Sequence, residues 1–324
     1  MIESKDISII IQGPVYEDIA EKIIDNMRTL LPGAEIIISS WVGQKVVGLN
    51  ADLIILNEDP GAVEILENPI RYSTANRQIV STLAGLKKGT RKYAIKMRSD
   101  IYFKNTGFLK YFSKFNERND EYKILRNRVV MSTIFTPNPK RYALPYHPSD
   151  WFYFGLREDL INIFDIPLSI EPETSRWYKN HIYPVLNTEP YLCRYRAEQY
   201  IWYTFLKKHI NFKFEHAFDV CNGNIERSEH IFANNSVLVD PDRLGLRSYK
   251  YQNISKEKIN TYFSPLYNYY EWLKLYKEYC APNFKLPLID IRMWIRTAKW
   301  IFSEFKINRK QTIYRIISFI MFRK

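Results

Sequence analysis

Only three of the 324 residues are cysteine, and Cys193, Cys221 and Cys280 stand far apart without Cys-x-x-Cys spacing. An odd number so spaced supplies neither a disulfide framework nor a zinc site, and fits a reducing cytoplasm. Long apolar runs are missing too: no window reaches the roughly 18 uninterrupted apolar residues that a transmembrane helix needs. The first apolar run, Ile7 to Ile11, follows a polar and acidic start. It is much shorter than a signal-peptide core and is expected to be the first strand of the fold. Internal repeats and low-complexity blocks are absent, and with 46% hydrophobic residues nothing suggests disorder. One large domain with appendages is expected. Acidic residues are the scarcer charge, 35 against 47 Lys and Arg, leaving a formal net charge of +12. That excess implies an anionic partner: nucleic acid, an acidic membrane face or a phosphorylated substrate.

What is present alternates between two periods. Ile7 to Ile11, stopped by Gln12-Gly13-Pro14, reads as a strand buried on both faces. Asp18 with Glu21 resembles a capping box, opening a helical stripe of Ile19, Ile23, Ile24, Met27, Leu30 and Leu31 that stops at Pro32-Gly33. A second strand, Glu35 to Ser39, ends in Ser40-Trp41, and a third, Leu53 to Leu56, runs out before Asp59-Pro60-Gly61. Ser73 or Thr74 can cap a helix carrying Ile79, Val80, Leu83 and Leu86, which Gly89 closes. Tyr93, Ala94, Ile95 and Met97 then form a strand ending in Arg98-Ser99-Asp100. Strands alternating with helices predict an α/β fold with a mostly parallel, doubly wound sheet. The polar segments after its strands, Gln12, Gly13, Pro14, Trp41, Asp59, Arg98 and Asp100 among them, should converge on one edge, where such folds bind ligands.

Beyond Asp100 the pattern loosens. Phe108 to Phe115 reads as a helix, Val129 to Phe135 as a strand, and Trp151 to Phe154 as a strand closing at Gly155. Arg196-Ala197-Glu198-Gln199 opens an amphipathic helix through Ile201, Trp202, Phe205 and Leu206. His209 to Lys258 reads as mixed loop and short strand, and the chain from about Tyr262 as helical. The expected organisation is a domain over 1–260, in halves 1–105 and 106–260, and a helical, basic, amphipathic segment over 261–324. From Leu288 onward there are nine Lys and Arg against Asp290 and Glu304, a net of +7. Ile291, Trp294, Ile295, Ala298, Ile301, Phe302 and Phe305 share one helical face there. Such a segment is expected to lie on an anionic bilayer, placing the protein peripherally on the inner face of the cytoplasmic membrane.

Several segments, taken together and in order, carry a resemblance. ISIIIQGPVYE, EIIISSWVG, Asp59-Pro60-Gly61, NRQIVSTLAGL, YAIKMRSDIYF, HPSDWFYFG and RAEQYIW are similar to the WavE lipopolysaccharide-synthesis family of bacterial glycosyltransferases, over roughly residues 6 to 205. The resemblance implies a catalytic domain of GT-A-like fold over 1–260, with a nucleotide-binding half (1–105) and an acceptor half (106–260). It would act on a nucleotide sugar, with a UDP-sugar expected, and a saccharide or lipid-linked saccharide acceptor in surface-polysaccharide assembly. GT-A enzymes hold the donor pyrophosphate through a divalent cation on an Asp-x-Asp motif, so Asp100 is the expected ligand for Mn or Mg. Arg98 stands where the other carboxylate is usual.

The remaining candidates follow from residue chemistry. Asn76, Arg77 and Gln78 begin a helix, where free amides and the Arg77 guanidinium favour phosphate. Trp151 offers a flat face to a sugar ring and Asp150 an acceptor for its hydroxyl. The resemblance implies an inverting transfer whose general base begins a helix in a motif ending Glu-Asp; here the segment reads Ala197-Glu198-Gln199, so the base is expected at Glu198, or else at Asp150. It likewise implies a late histidine as a third metal ligand, for which His216 and His230 are the candidates. Two other classes compete. A nucleic-acid-binding protein suits the charge, but the charge is concentrated in the tail and no RRM, KH or helix-turn-helix signature is present. A sugar-phosphate nucleotidyltransferase would need a Gly-rich, cationic N-terminal loop, and Gln12-Gly13-Pro14 carries no cation.

Overall fold

An Ile-rich strand without a polar face is stable only where both of its sides are covered. In a computed structural model of the chain, β1 (Ile7–Gln12) is that strand, and each of its residues is buried. Residues 2–67, 70–181, 192–251 and 265–288 are described, together with Trp294, Ile295, Ala298 and Phe302. After β1 come α1 (Glu17–Leu30), β2 (Glu35–Trp41), β3 (Leu53–Asn57), a hairpin of β4 (Val63–Glu67) and β5 (Ile70–Ser73), α2 (Ala75–Lys88), β6 (Tyr93–Arg98) and β7 (Ile101–Phe103). The second half holds α3 (Leu109–Phe112), β8 (Val129–Ser132), β9 (Phe152–Leu156), α4 (Arg157–Phe164), α5 (Ala197–Lys207), α6 (Asn224–Asn235), β10 (Ser236–Val239), α7 (Pro241–Leu244), β11 (Leu246–Ser248) and α8 (Tyr269–Tyr279).

Among the described residues, seven strands form one sheet in the order β10-β8-β9-β6-β1-β2-β3. All neighbours are parallel except β9, which runs antiparallel to both β6 and β8. This is an α/β architecture with a mostly parallel central sheet flanked by helices, compatible with a GT-A-like fold. The register aligns the strand ends: Gln12 stands opposite Ser39 on one side and Arg98 on the other.

Boundaries differ from the sequence expectation where side chains beyond the local window decide. α1 starts at Glu17 with Tyr16 as its N-cap, so Asp18 lies inside the first turn and makes no capping box. Thr74 is the N-cap of α2 without a side-chain bond to it, and Gly89 follows its last turn. β8 stops at Ser132 because the Ile134 amide donates to the Ser132 hydroxyl and the Thr136 amide to the Thr133 carbonyl, closing a tight turn. The helix expected from Phe108 shrinks to the single turn of α3. Within the stretch read as loop and short strand lies α6, twelve residues long, whose buried face includes Ser228, Glu229, Asn234 and Asn235. Polar groups fill the positions where apolar periodicity would have announced it. α8 packs on α6 and β10 with Trp272, Leu273 and Tyr276 buried in the main core, so the first part of the segment after 260 belongs to the domain. The amphipathic face expected further on lies outside the described residues, apart from Trp294, Ile295, Ala298 and Phe302.

Helix α2 lies unusually close to β1. A β-carbon on Gly85 would fall 2.4 Å from Ile10 Cγ2, a branched side chain with no room to withdraw. Gly85→Ala should therefore destabilise by about 1–2 kcal/mol, although alanine favours helices, because overpacking outweighs propensity. Denaturant titration checks this as a lower midpoint at unchanged slope.

Lys96 sits on β6, and its residue is 0% exposed. Its ammonium donates to the Asp150 carbonyl and lies over the rings of Tyr153 and Phe164. Burial, partly offset by the Asp150 carboxylate, pushes its pKa down to about 8. Between pH 8 and the ordinary lysine value of 10.5 the folded chain sheds a proton that the unfolded chain keeps, so this group's contribution to stability rises with pH. Compared with Lys96→Met, the wild type should gain on the order of 3 kcal/mol across that window. Unfolding curves of both proteins from pH 7 to 10 check it.

Candidate active site

The ends of four parallel strands build one cavity of about 470 Å³. Gln12, Gly13 and Pro14 come from β1, Trp41 from β2, Asp59 from beyond β3, and Arg98, Ser99 and Asp100 from β6. The start of α2 supplies Thr74, Arg77 and Gln78. Gly13 has φ +112°, a conformation that favours glycine, and it lets the chain turn while its amide bonds the Ser39 carbonyl. Ser99 ties the neighbouring strand end to it, its amide donating to the Gln12 carbonyl and its hydroxyl to the Pro14 carbonyl at 2.6 Å. The Gln12 amide oxygen accepts from Ser81 on α2 at 2.8 Å. Arg77 grips Asp59 with Nε and Nη2 at 2.7 and 2.5 Å, and Asp59 is held well below its ordinary pKa chiefly by this bond. Thus Gln12, Gly13, Pro14, Trp41, Asp59, Arg77, Arg98 and Asp100 come together as expected from the strand ends. Asn76 does not. Its amide exchanges two hydrogen bonds with the backbone of Ser169, and it lines neither this cavity nor its neighbour.

A second cavity, of about 510 Å³, shares Thr74, Gln78, Arg98 and Asp150 with the first. Tyr72, Phe135, Tyr142 and Trp151 give it aromatic walls, and His147 and Glu198 give it titratable groups. Glu198 lies in the first turn of α5. It accepts from Gln78 Nε2 at 3.1 Å, and its other oxygen is 3.4 Å from His147 Nε2. The next residue points away. Gln199 is buried, donating to the carbonyls of Pro145 and Ala217 and accepting from the Arg196 amide, so it locks the helix start to the core and leaves Glu198 in the cavity. Burial pushes the His147 pKa below its ordinary value, with Glu198 opposing, and its Nδ1 is buried without a hydrogen-bond partner among the described residues. His147 was not among the residues singled out from the sequence. It lies within a segment that carried the resemblance, three residues before Asp150.

The two cavities meet at Arg98. Its Nε and Nη2 donate to the two Asp100 oxygens at 2.9 and 2.8 Å, and Nη1 reaches Asp150 at 3.4 Å. Burial would lower the Arg98 pKa, but Asp150 and Asp100 outweigh it and raise it above the ordinary arginine value. The guanidinium lies 5.1 Å over the Trp151 ring, with Tyr251 5.4 Å from that ring on another side. Trp151 is 1% exposed, so the flat face expected to receive a sugar is already covered, and the residue backs Arg98 instead. Asp150 lies on the shared wall, just before β9.

Asp100 as a metal ligand meets a similar obstacle. A divalent cation needs about six oxygen ligands with free lone pairs. Here both Asp100 oxygens are engaged by Arg98, its side chain is 3% exposed, and no group of three His, Cys, Asp or Glu among the described residues could hold a metal. The donor set does not fit that ion. His230 is stacked on Tyr122 and meets the Tyr279 ring at a tilt, and His216 lies beside Trp177 and Tyr178; neither lines either cavity.

Among the described residues no helix is long and apolar enough to cross a membrane. No curated protein matches the chain. The profile of one family, WavE lipopolysaccharide synthesis, matches residues 7–302, nearly the whole chain, and the protein therefore belongs to that family and takes part in lipopolysaccharide synthesis.

Proposed function

We propose that the protein is a glycosyltransferase, moving a sugar from a nucleotide-sugar donor, with UDP-sugars the first candidates, to a hydroxyl of a saccharide or lipid-linked saccharide. The observation that carries this reading is the shared wall of the two cavities. A polar cavity at the sheet edge, with the start of α2 beside it, suits a nucleoside diphosphate. An aromatic cavity with a carboxylate suits a saccharide acceptor. The anomeric carbon would lie between them, near Arg98 and Asp150.

In this reading Glu198 is the general base. It takes the proton of the attacking hydroxyl as the new bond forms at the anomeric carbon. The bond to the diphosphate oxygen breaks, and the electron pair leaves with the diphosphate toward Arg77 and the first turn of α2. The configuration inverts because base and leaving group stand on opposite sides. The hydrogen bond from Gln78 orients the Glu198 carboxylate, and Asp150 orients the acceptor hydroxyl.

We further propose that the tail rests on an anionic bilayer. Its net charge of +7 is more than half of the chain's +12, and the Trp294 and Phe302 side chains are exposed.

A panel of nucleotide sugars, monitored for released nucleoside diphosphate, tests the activity; no release from any donor, with native-membrane glycolipid supplied as acceptor, rejects it. Glu198→Gln should lower kcat by about 10²–10⁴-fold with a near-unchanged unfolding transition. Asp150→Asn should act mainly on acceptor KM, and a larger kcat loss there than in Glu198→Gln would exchange the two roles. For the tail, vesicles containing phosphatidylglycerol should retain the full chain at low salt and release it as salt rises. Equal retention on purely zwitterionic vesicles would count against that attachment.

A further inference from the structure

We infer that Arg98 is the resident cation of the donor cavity, so that a nucleoside diphosphate binds this protein without a divalent metal. The inference rests on the donor-cavity reading above and specifies its chemistry.

The place a metal would need is already filled. Arg98 bridges Asp100 and Asp150, two of the three carboxylates that line the strand-end cavity, and Asp59, the third, is held by Arg77. A cation seeking Asp100 must displace a two-pronged hydrogen-bonded pair from a carboxylate that is 3% exposed. It would also come to rest among fixed positive charge, with the guanidinium in front and the buried Lys96 ammonium below, which donates to the Asp150 carbonyl. Like charges at such spacing in a low-dielectric wall repel strongly.

Arg98 can serve the diphosphate itself. A guanidinium has five N–H donors, and its hydrogen bonds to the two carboxylates use three of them. The bond to Asp150, at 3.4 Å, is long enough to yield to a phosphoryl oxygen, and a guanidinium fork matches phosphate geometry. The ring of Trp151 and the bidentate bond to Asp100 hold the group in place, so little ordering is left to the ligand.

A second favourable surface faces the same cavity. The first turn of α2 has neither a capping side chain nor an acidic residue, and Thr74, Arg77 and Gln78 line the cavity there. Its first-turn amides, which no side chain among the described residues caps, and the Arg98 fork form two walls between which a diphosphate fits.

Calorimetric titration of the full chain with uridine, adenosine and guanosine diphosphates, in EDTA and again in excess MnCl₂ or MgCl₂, tests the inference. At least one nucleotide should bind, with affinities in EDTA and in metal that agree within about twofold, and Mn²⁺ alone should show no bound signal in paramagnetic resonance. Arg98→Gln should weaken that nucleotide about 10- to 100-fold, and Arg98→Lys, which keeps the charge but not the fork, should fall between. Because Arg98→Gln leaves Asp100 unpaired, its unfolding transition is measured alongside, and Arg98→Lys decides if that variant does not fold. Binding that requires Mn²⁺ or Mg²⁺, or that is indifferent to Arg98→Lys and to a folded Arg98→Gln, overturns the role of Arg98 and leaves the donor cavity standing. No binding of any nucleotide under either condition overturns the cavity assignment and this inference with it.

Discussion

The two-pronged bond between Arg98 and Asp100 is the interaction on which the site depends. It closes the end of β6, fixes a permanent positive charge between two cavities, and brings Asp150 to the same point from a segment about fifty residues further along. A buried ion pair of this kind adds little net stability, because desolvation consumes much of the Coulomb gain. Its worth here is positional. Breaking it would leave a carboxylate buried and unpaired, so the geometry around it is over-determined by Trp151, Tyr251 and Lys96.

The sheet explains why the rest arrives at this point. Parallel strands release their carboxyl ends on one edge, and β1, β2, β3 and β6 are mutually parallel neighbours. β9 enters antiparallel, so its beginning, with Asp150 and Trp151, lies at that same edge. The start of α2 comes there because Gly85 lets the helix approach β1 closely. α5 adds Glu198 through the contact with Gln78, linking residues 120 apart in sequence. Two chain halves thus supply two cavities with a common wall.

Much of the first half was legible because both signals there are local. Strands buried on both faces appear as apolar runs, and turn residues mark their ends, so Gln12-Gly13-Pro14 and Arg98-Ser99-Asp100 could be placed at the edge before any contact was known. The second half was less legible. α6 buries serine, glutamate and asparagine where an apolar stripe was sought, and β8 is ended inside an apolar run by a turn that the Ser132 hydroxyl and the Thr133 carbonyl close. His147 escaped notice because a single histidine carries no period.

By itself, the sequence determined the alternation of strands and helices, the edge on which the strand ends gather, and the concentration of positive charge in the tail. Each is a property of composition or of spacing within a few residues. Only the tertiary structure decided how the side chains are used: Asn76 tied to Ser169, Trp151 covered by a guanidinium, Gln199 fastened in the core so that Glu198 faces the cavity, and Asp100 held by Arg98. The physical reason is that a polar side chain's role is set by whichever partner reaches it first. Even for neighbours such as Arg98 and Asp100, the burial that makes their bond persist comes from elements folded over them from elsewhere in the chain.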